Sequence, residues 1–463
     1  MRDRTAVPTD ELADRVSRLR TEVTGQVITR DDADYERARR VFNGNVDRWP
    51  AVIVRAADAA DVARVIGFGR ETGLPLAVRS GGHSTYGVWD DGLVLDLSAL
   101  SALEIDVAGR TAWAGPGMTA VEFTKATAEH GLALGFGDTG SVGLGGLTVG
   151  GGVGYLVRRY GLTIDNLLAA DVVTADGELV RADADNHPDL FWAIRGGGGN
   201  FGVVTRLQYR LDPVRNVYGG MLVLPATAEV IASFVEAAKA APDELSTIAN
   251  VMPSPPMPFV PEQFHGEPVI MAELVYCGDD IEAGKRAVAP FRELITPLAD
   301  MVKAMPLADI YGPEDPDRRP ITFARSLFID DFDLAAAEQV LDFLGKATAA
   351  WPAAQLRVLG GAMARVPVDA TAFAHRNREI MVVAAAVYDD VAETPVHWQW
   401  ATEFTEAMRQ GEGGAYANFL YMDGEERVHE AYPEATYRRL ADIKRRYDPD
   451  NLFRLNANIP PSQ

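Results

Sequence analysis

The chain has 463 residues, 47% hydrophobic and 24% charged, with a formal net charge of −22. That length exceeds what one hydrophobic core usually serves and points to two domains, and the charge argues against nucleic acid or anionic lipid as partners. The lone cysteine, Cys277, excludes an internal disulfide and a cysteine zinc site.

The opening MRDRTAVPTDELADRVSRLR has no apolar core of the secretory kind, and no run reaches the roughly eighteen apolar residues of a membrane span. A soluble cytoplasmic protein is expected. Leu12, Val16, Leu19 and Val23 recur at helical spacing and predict a helix from Thr9 to Val23, capped by Thr9 or Asp10. AVIVRA (Ala51–Ala56) reads as a strand. A helix follows over Asp58–Gly73, with Asp58 as cap and Gly73 as stop. Leu76–Ser80 and Leu93–Leu97 read as further strands, and strands and helices alternate to about Arg210.

Half of the residues from Gly135 to Gly154 are glycine, and a second cluster is RGGGGNFGVV (Arg195–Val204). Apolar residues interleave these glycines, which argues for backbone that must approach something closely and against a linker. Two stretches satisfy G-x-G-x-x-G, at Gly135–Gly140 and Gly197–Gly202, but neither has the context of a dinucleotide fingerprint. The second runs into VVTRLQYRL, a strand, and the first into more glycine. No P-loop, H-E-x-x-H or G-x-S-x-G motif occurs. From about Asn216 the texture changes. A proline-rich loop (Met252–Pro261) and three strand-like runs alternate with helices such as DLAAAEQVLDFLGKATAA, predicting antiparallel sheet with helices on one face. A closing helix is expected over Glu434–Tyr447.

In RSGGHSTYG (Arg79–Gly87) a strand ends and two glycines deliver a histidine into a polar turn whose amides are free to face an anion. Taken alone, His83 reads first as a hydrogen-bonded loop histidine. With three further motifs it reads differently. RSGGHS, SVGLGGLTVGGGVG, DLFWAIRGGGGNFGVVT (Asp189–Thr205) and YDPDNLFRLNANIPP (Tyr447–Pro461) resemble, in order, the berberine-bridge-enzyme-like branch of the vanillyl-alcohol-oxidase flavoproteins.

The resemblance implies an α+β fold: a two-part PCMH-type FAD-binding domain (1–215 and 411–463) with an inserted antiparallel-sheet substrate domain (216–410). It implies FAD bound covalently through His83 alone. Thr139 stands where many relatives carry the cysteine of a second link. Arg79, Ser80, Gly81, Gly82, Ser84, Gly87, Asp138, Val142, Gly143, Gly145 and Gly146 would hold the pyrophosphate and flavin; Gly199, Asn200, Gly202 and Val204 the adenine–ribose side; Asn456 and Asn458 the flavin ring. Val142 matches a small residue that lets dioxygen reach the flavin, and reads equally as a packed valine. Tyr416, in AYANF, matches the Y-x-N tyrosine and is nominated as deprotonating or orienting group; it reads as readily as a hydrogen-bonded core tyrosine. Val153 stands where plant-type relatives have an active-site tyrosine, so their substrates do not transfer.

The expected function is oxidation of an alcohol, sugar or amine carbon, with dioxygen as acceptor and hydrogen peroxide as product. Oxidative cyclisation or dehydrogenation of a natural product, and a non-catalytic flavin-binding module, are the alternatives. Arg365, His375, Arg376 and Tyr388 read as either substrate pocket or surface.

Overall fold

The computed structural model describes residues 9–463 except 279, 316, 422 and 423. The first helix runs Thr9–Glu22, with Val16 and Leu19 buried; its expected cap at Thr9 or Asp10 lies outside the described side chains. The first sheet is built from β1 (Gln26–Ile28), β2 (Val52–Arg55), β3 (Leu76–Arg79) and β4 (Leu93–Asp96), in the order β1-β2-β4-β3. Its last three strands are parallel, so a crossover must return the chain between β2 and β3. That crossover is the helix Ala59–Thr72. The Asp58 carboxylate accepts the Asp61 N–H at its start and Gly73 ends it at φ 72°.

A second, antiparallel sheet takes β5 (Leu103–Asp106), β6 (Thr111–Ala114), β8 (Leu167–Val173), β9 (Leu179–Asp183) and β10 (Val203–Arg210), in the order β5-β6-β10-β8-β9, while β7 (Leu132–Ala133) pairs with β11 (Asp212–Pro213). The helix Glu434–Tyr447 returns from the chain's end to pack here, and its Leu440, Ala441 and Ile443 share a core with Leu190, Phe201 and Tyr209. Where sequence reading left only more glycine after Gly140, LGGLTVG folds as a helix, Leu144–Gly150. Burial of Leu144, Leu147 and Val149 compensates for the poor intrinsic propensity of its glycines.

The third sheet is antiparallel throughout. It contains β12 (Val217–Pro225), β13 (Leu245–Pro253), β14 (Pro268–Tyr276), β15 (Ala299–Asp300), β16 (Lys303–Met305), β17 (Ile321–Ile329), β18 (Trp351–Val358) and β19 (Ile380–Tyr388). Its long path is β15-β12-β14-β13-β18-β19-β17, with β16 on β12. Four helices, Ala228–Ala240, Ile281–Glu293, Leu334–Lys346 and Thr394–Ala407, cover one face and build a core of its own with Leu222, Leu274, Leu327 and Val382. Side chains alternate along a strand, so the other face is free to turn toward the loops that follow β3 and β7.

Candidate active site

At the end of β3 the chain enters SGGHS, and Gly82 takes φ +74°, a left-handed conformation suited to glycine. Gly81 lies back to back with Gly143: a Cβ on either would sit 2.3 Å from the other's backbone nitrogen. The glycine pair therefore permits two loops to touch. The backbone N–H groups of Gly81, Gly82, His83 and Ser84 have no protein acceptor among the described residues. Four consecutive unpaired amides around a positive-φ glycine make a concave anion site without using a charged side chain.

A cavity of about 500 Å³ opens against these loops. Its wall brings together Arg79, Ser80, Gly81, Gly82, His83, Ser84, Gly87, Asp138, Thr139, Val142, Gly143, Gly145, Gly146, Gly199, Asn200, Gly202, Val204, Asn456 and Tyr416. Asn458 is not on the wall; it follows the turn away, with its Oδ1 buried and unpartnered.

Three wall residues have work different from that expected. The Arg79 guanidinium is buried on Asp96 (2.8 Å) and the Ala38 carbonyl (2.6 Å), so it offers the cavity only its stem. Asp138 directs its carboxylate to Arg357 on β18 (2.6 Å), away from any phosphate. Asn200 donates to the Gly197 and Ala457 carbonyls and accepts from Ile459 N–H, clamping the tail to the glycine-rich turn. In the second loop, the Gly140 and Ser141 amides are taken by the Glu314 carboxylate.

His83 stacks on Phe42 (ring centroids 4.2 Å apart, 18° between planes), and its Nε2 lies 3.0 Å from Ser141 Oγ. Burial holds its pKa down to about 4 against the opposing charges of Glu314 and Asp138. The ring is therefore neutral near pH 7, with Nδ1 the nitrogen not committed to Ser141. Tyr416 is buried against Phe373 and Phe419. Its Oη accepts the Gly152 N–H (2.8 Å) and the Asn418 Nδ2–H (3.0 Å). Burial raises its pKa; those two donors and the charge of Arg357 work in the opposite direction.

The inserted-domain residues singled out from the sequence do not line the cavity, and of the four only Tyr388 is on a strand. Arg365 is exposed and pairs with Asp243; Arg376 is buried in a two-pronged pair with Asp165. His375 stacks on Phe328, and Tyr388 bonds to Thr394 and Asn45. The wall instead takes Asn250, Thr322, Ala324, Gln355, Arg357, Val383 and Ala385, from β13, β17, β18 and β19. One signal was present: in WPAAQLRV, Gln355 and Arg357 stand two apart with an apolar residue between them, which puts both on one face.

The wall fits an FAD. Unpaired amides suit a pyrophosphate. A Cβ at Gly146 or Gly199 would meet nothing within 4 Å, so these wall positions leave room for a bound group. Asn456 Oδ1 is buried without a protein partner. The FAD binding domain family matches residues 50–183, and the family described as berberine and berberine like matches residues 415–460. Over 452 residues the chain is 30% identical to an FAD-linked oxidoreductase of Dictyostelium discoideum, covering 95% of this chain and 96% of that one. It is 30% identical over 458 residues to (R)-6-hydroxynicotine oxidase of Paenarthrobacter nicotinovorans, covering 95% and 97%. The crystal structure of 6-hydroxy-D-nicotine oxidase from Arthrobacter nicotinovorans superimposes with a TM-score of 0.84 at 28% identity, covering 95% and 98%. Such similarity across nearly the whole length, with the amide cradle in place, shows that the chain belongs to the berberine-bridge-enzyme-like family of FAD-linked oxidoreductases.

Proposed function

We propose that this protein is an oxidase: it removes hydride from an alcohol, sugar or amine carbon and passes the electrons to dioxygen, giving hydrogen peroxide. FAD supplies the hydride acceptor and its reoxidation by dioxygen. The amides of Gly81–Ser84 would hold the pyrophosphate, and His83, neutral and with Nδ1 uncommitted, would carry the single covalent link to the flavin's benzenoid methyl position. Thr139 on the wall has no thiol for a second bond, and Cys277 is buried in a cluster with Ala133, Leu156 and Val275.

One observation carries the reading: the Tyr416 hydroxyl. Its oxygen receives two N–H donors, so its own proton is left to the cavity side, where a substrate hydroxyl or amine would lie. After releasing that proton to solvent, the Tyr416 phenolate, its negative oxygen stabilised by Gly152 N–H and Asn418, would orient the substrate group and take its proton, returning to the neutral phenol. Val142, half-buried on the wall, keeps a small side chain where dioxygen would pass.

Anaerobic mixing with a panel of alcohols, sugars and amines tests this. At least one compound should bleach the flavin absorbance, and admitting air should restore it within seconds with one peroxide per flavin. Bleaching by none counts against an enzyme; reoxidation taking many minutes without peroxide counts against an oxidase.

A further inference from the structure

On the cavity side of the third sheet, Arg357, Gln355 and Asn250 form a hydrogen-bonded series whose direction can be assigned atom by atom. Arg357 donates through Nη2 to Asp138 Oδ2 (2.6 Å), through Nη1 to the Val153 carbonyl (3.1 Å) and through Nε to Gln355 Oε1 (2.7 Å). A guanidinium has donors only, so the Gln355 amide must turn its oxygen to Arg357 and its nitrogen away. That nitrogen donates to Asn250 Oδ1 (3.0 Å). With its oxygen occupied, half-buried Asn250 turns its NH₂ outward. It lines the cavity, and its Nδ2 has no protein acceptor among the described residues. Amide orientation is often ambiguous; here a donor-only neighbour fixes it. The Arg357 guanidinium thus determines, through the Gln355 amide, that the far end of the series offers donors.

The surroundings narrow the choice further. Strand register sets Val383, Gln355 and Asn250 side by side, and Ala324, Ala385 and Ala353 in the next row. This is a low, apolar surface beside the Asn250 donor. Nearby hydroxyls have spent their protons, leaving only acceptor oxygens: Thr322 donates to the Ala386 carbonyl and Tyr86 to the Tyr421 carbonyl. A sugar laid here would set hydroxyls against alanine and valine, losing water without replacement.

We propose, resting on the reading of this cavity as the substrate side of an FAD-linked oxidase, that Asn250 selects a flat, weakly polar substrate carrying a hydrogen-bond acceptor (a carbonyl, ether or unprotonated ring nitrogen) and rejects polyhydroxylated sugars. The test is calorimetric titration of the FAD-loaded protein with quinoline, which has an acceptor and no donor, with indole, which has a donor and no acceptor, and with xylose. Quinoline should bind at least tenfold more tightly than indole, and xylose more weakly than either. Asn250→Asp, which replaces the donors by oxygens, should reverse the order of quinoline and indole. Gln355→Glu should reverse it too, although Asn250 is untouched: the carboxylate still accepts from Arg357 but cannot donate, so the Asn250 amide turns and presents Oδ1. A merely structural role for Gln355 would weaken both ligands alike. Equal affinities, binding of neither fragment, tighter binding of xylose, or an unchanged order in the two variants overturns the proposal. The redox reading fails on a different measurement, since a protein that prefers quinoline while no compound bleaches its flavin keeps this inference and loses the oxidase.

Discussion

In the proposed mechanism Tyr416 moves the proton, and its character is set by what its neighbours leave free. Tyr416 has its oxygen covered by two donors and its pKa raised by burial. The deprotonated fraction of such a group grows tenfold per pH unit until its pKa is reached, so kcat/KM should rise with pH across 7–9. Tyr416→Phe should lower kcat by roughly 10²- to 10⁴-fold and remove that rise, while flavin content stays the same; an unchanged pH profile in the variant would place the base elsewhere. His375 is a different case, a buried histidine off the cavity wall. Burial, helped by the charge of Arg378, holds its pKa down to about 4. The folded state therefore binds fewer protons than the unfolded chain between pH 6.5 and 4. Its stabilising share is complete above about pH 6.5 and is lost as pH falls toward 4, by at most about 1.4 kcal/mol per pH unit. Thermal melts over pH 7.5–4.5 should show His375→Asn starting lower and falling less steeply than the parent; parallel curves would show that this group does not set the acid limb.

Among the elements, the contact between the SGGHS loop and the loop before helix Leu144–Gly150 governs the cradle. Gly143→Ala would put a methyl group 2.2 Å from Ser80 Oγ and 2.3 Å from Gly81 N. Backbone must then move, at an overpacking cost of about 1–3 kcal/mol. The variant should melt lower and carry less flavin; full flavin content with an unchanged melt would mean that the loops do not need this approach. These loops were legible in the sequence because each is a local run whose glycines have one physical reason. So were the helices with marked ends, such as Asp58 to Gly73 and Glu434 to Tyr447. The helix within the glycine run was not, because tertiary burial and not propensity maintains it. Asn250 and Gln355 escaped for a related reason. They meet only through β13–β18 pairing, across 105 residues of chain, and a single sequence does not display that register. Arg79 and Asp138 were found as wall residues, but their partners Asp96 and Arg357 could be seen only in three dimensions.

At the scale of the molecule, three separately built regions converge on one cavity. The loop after β3 brings the amides and His83, the segment after helix Thr394–Ala407 brings Tyr416 and Asn456, and the third sheet brings the donor series. On the proposed reading, a chain of net charge −22 would hold a doubly charged pyrophosphate through backbone dipoles at the unpaired Gly81–Ser84 amides and not through surface cations. No helix among the described residues is long and apolar enough to cross a membrane. The central claim is that His83 ties the cofactor into this meeting point. Intact-mass measurement of the acid-unfolded protein tests it most directly: the parent should weigh the chain plus one FAD, and His83→Ala the chain alone. A parent at bare chain mass, or an adduct that survives in His83→Ala, would contradict it.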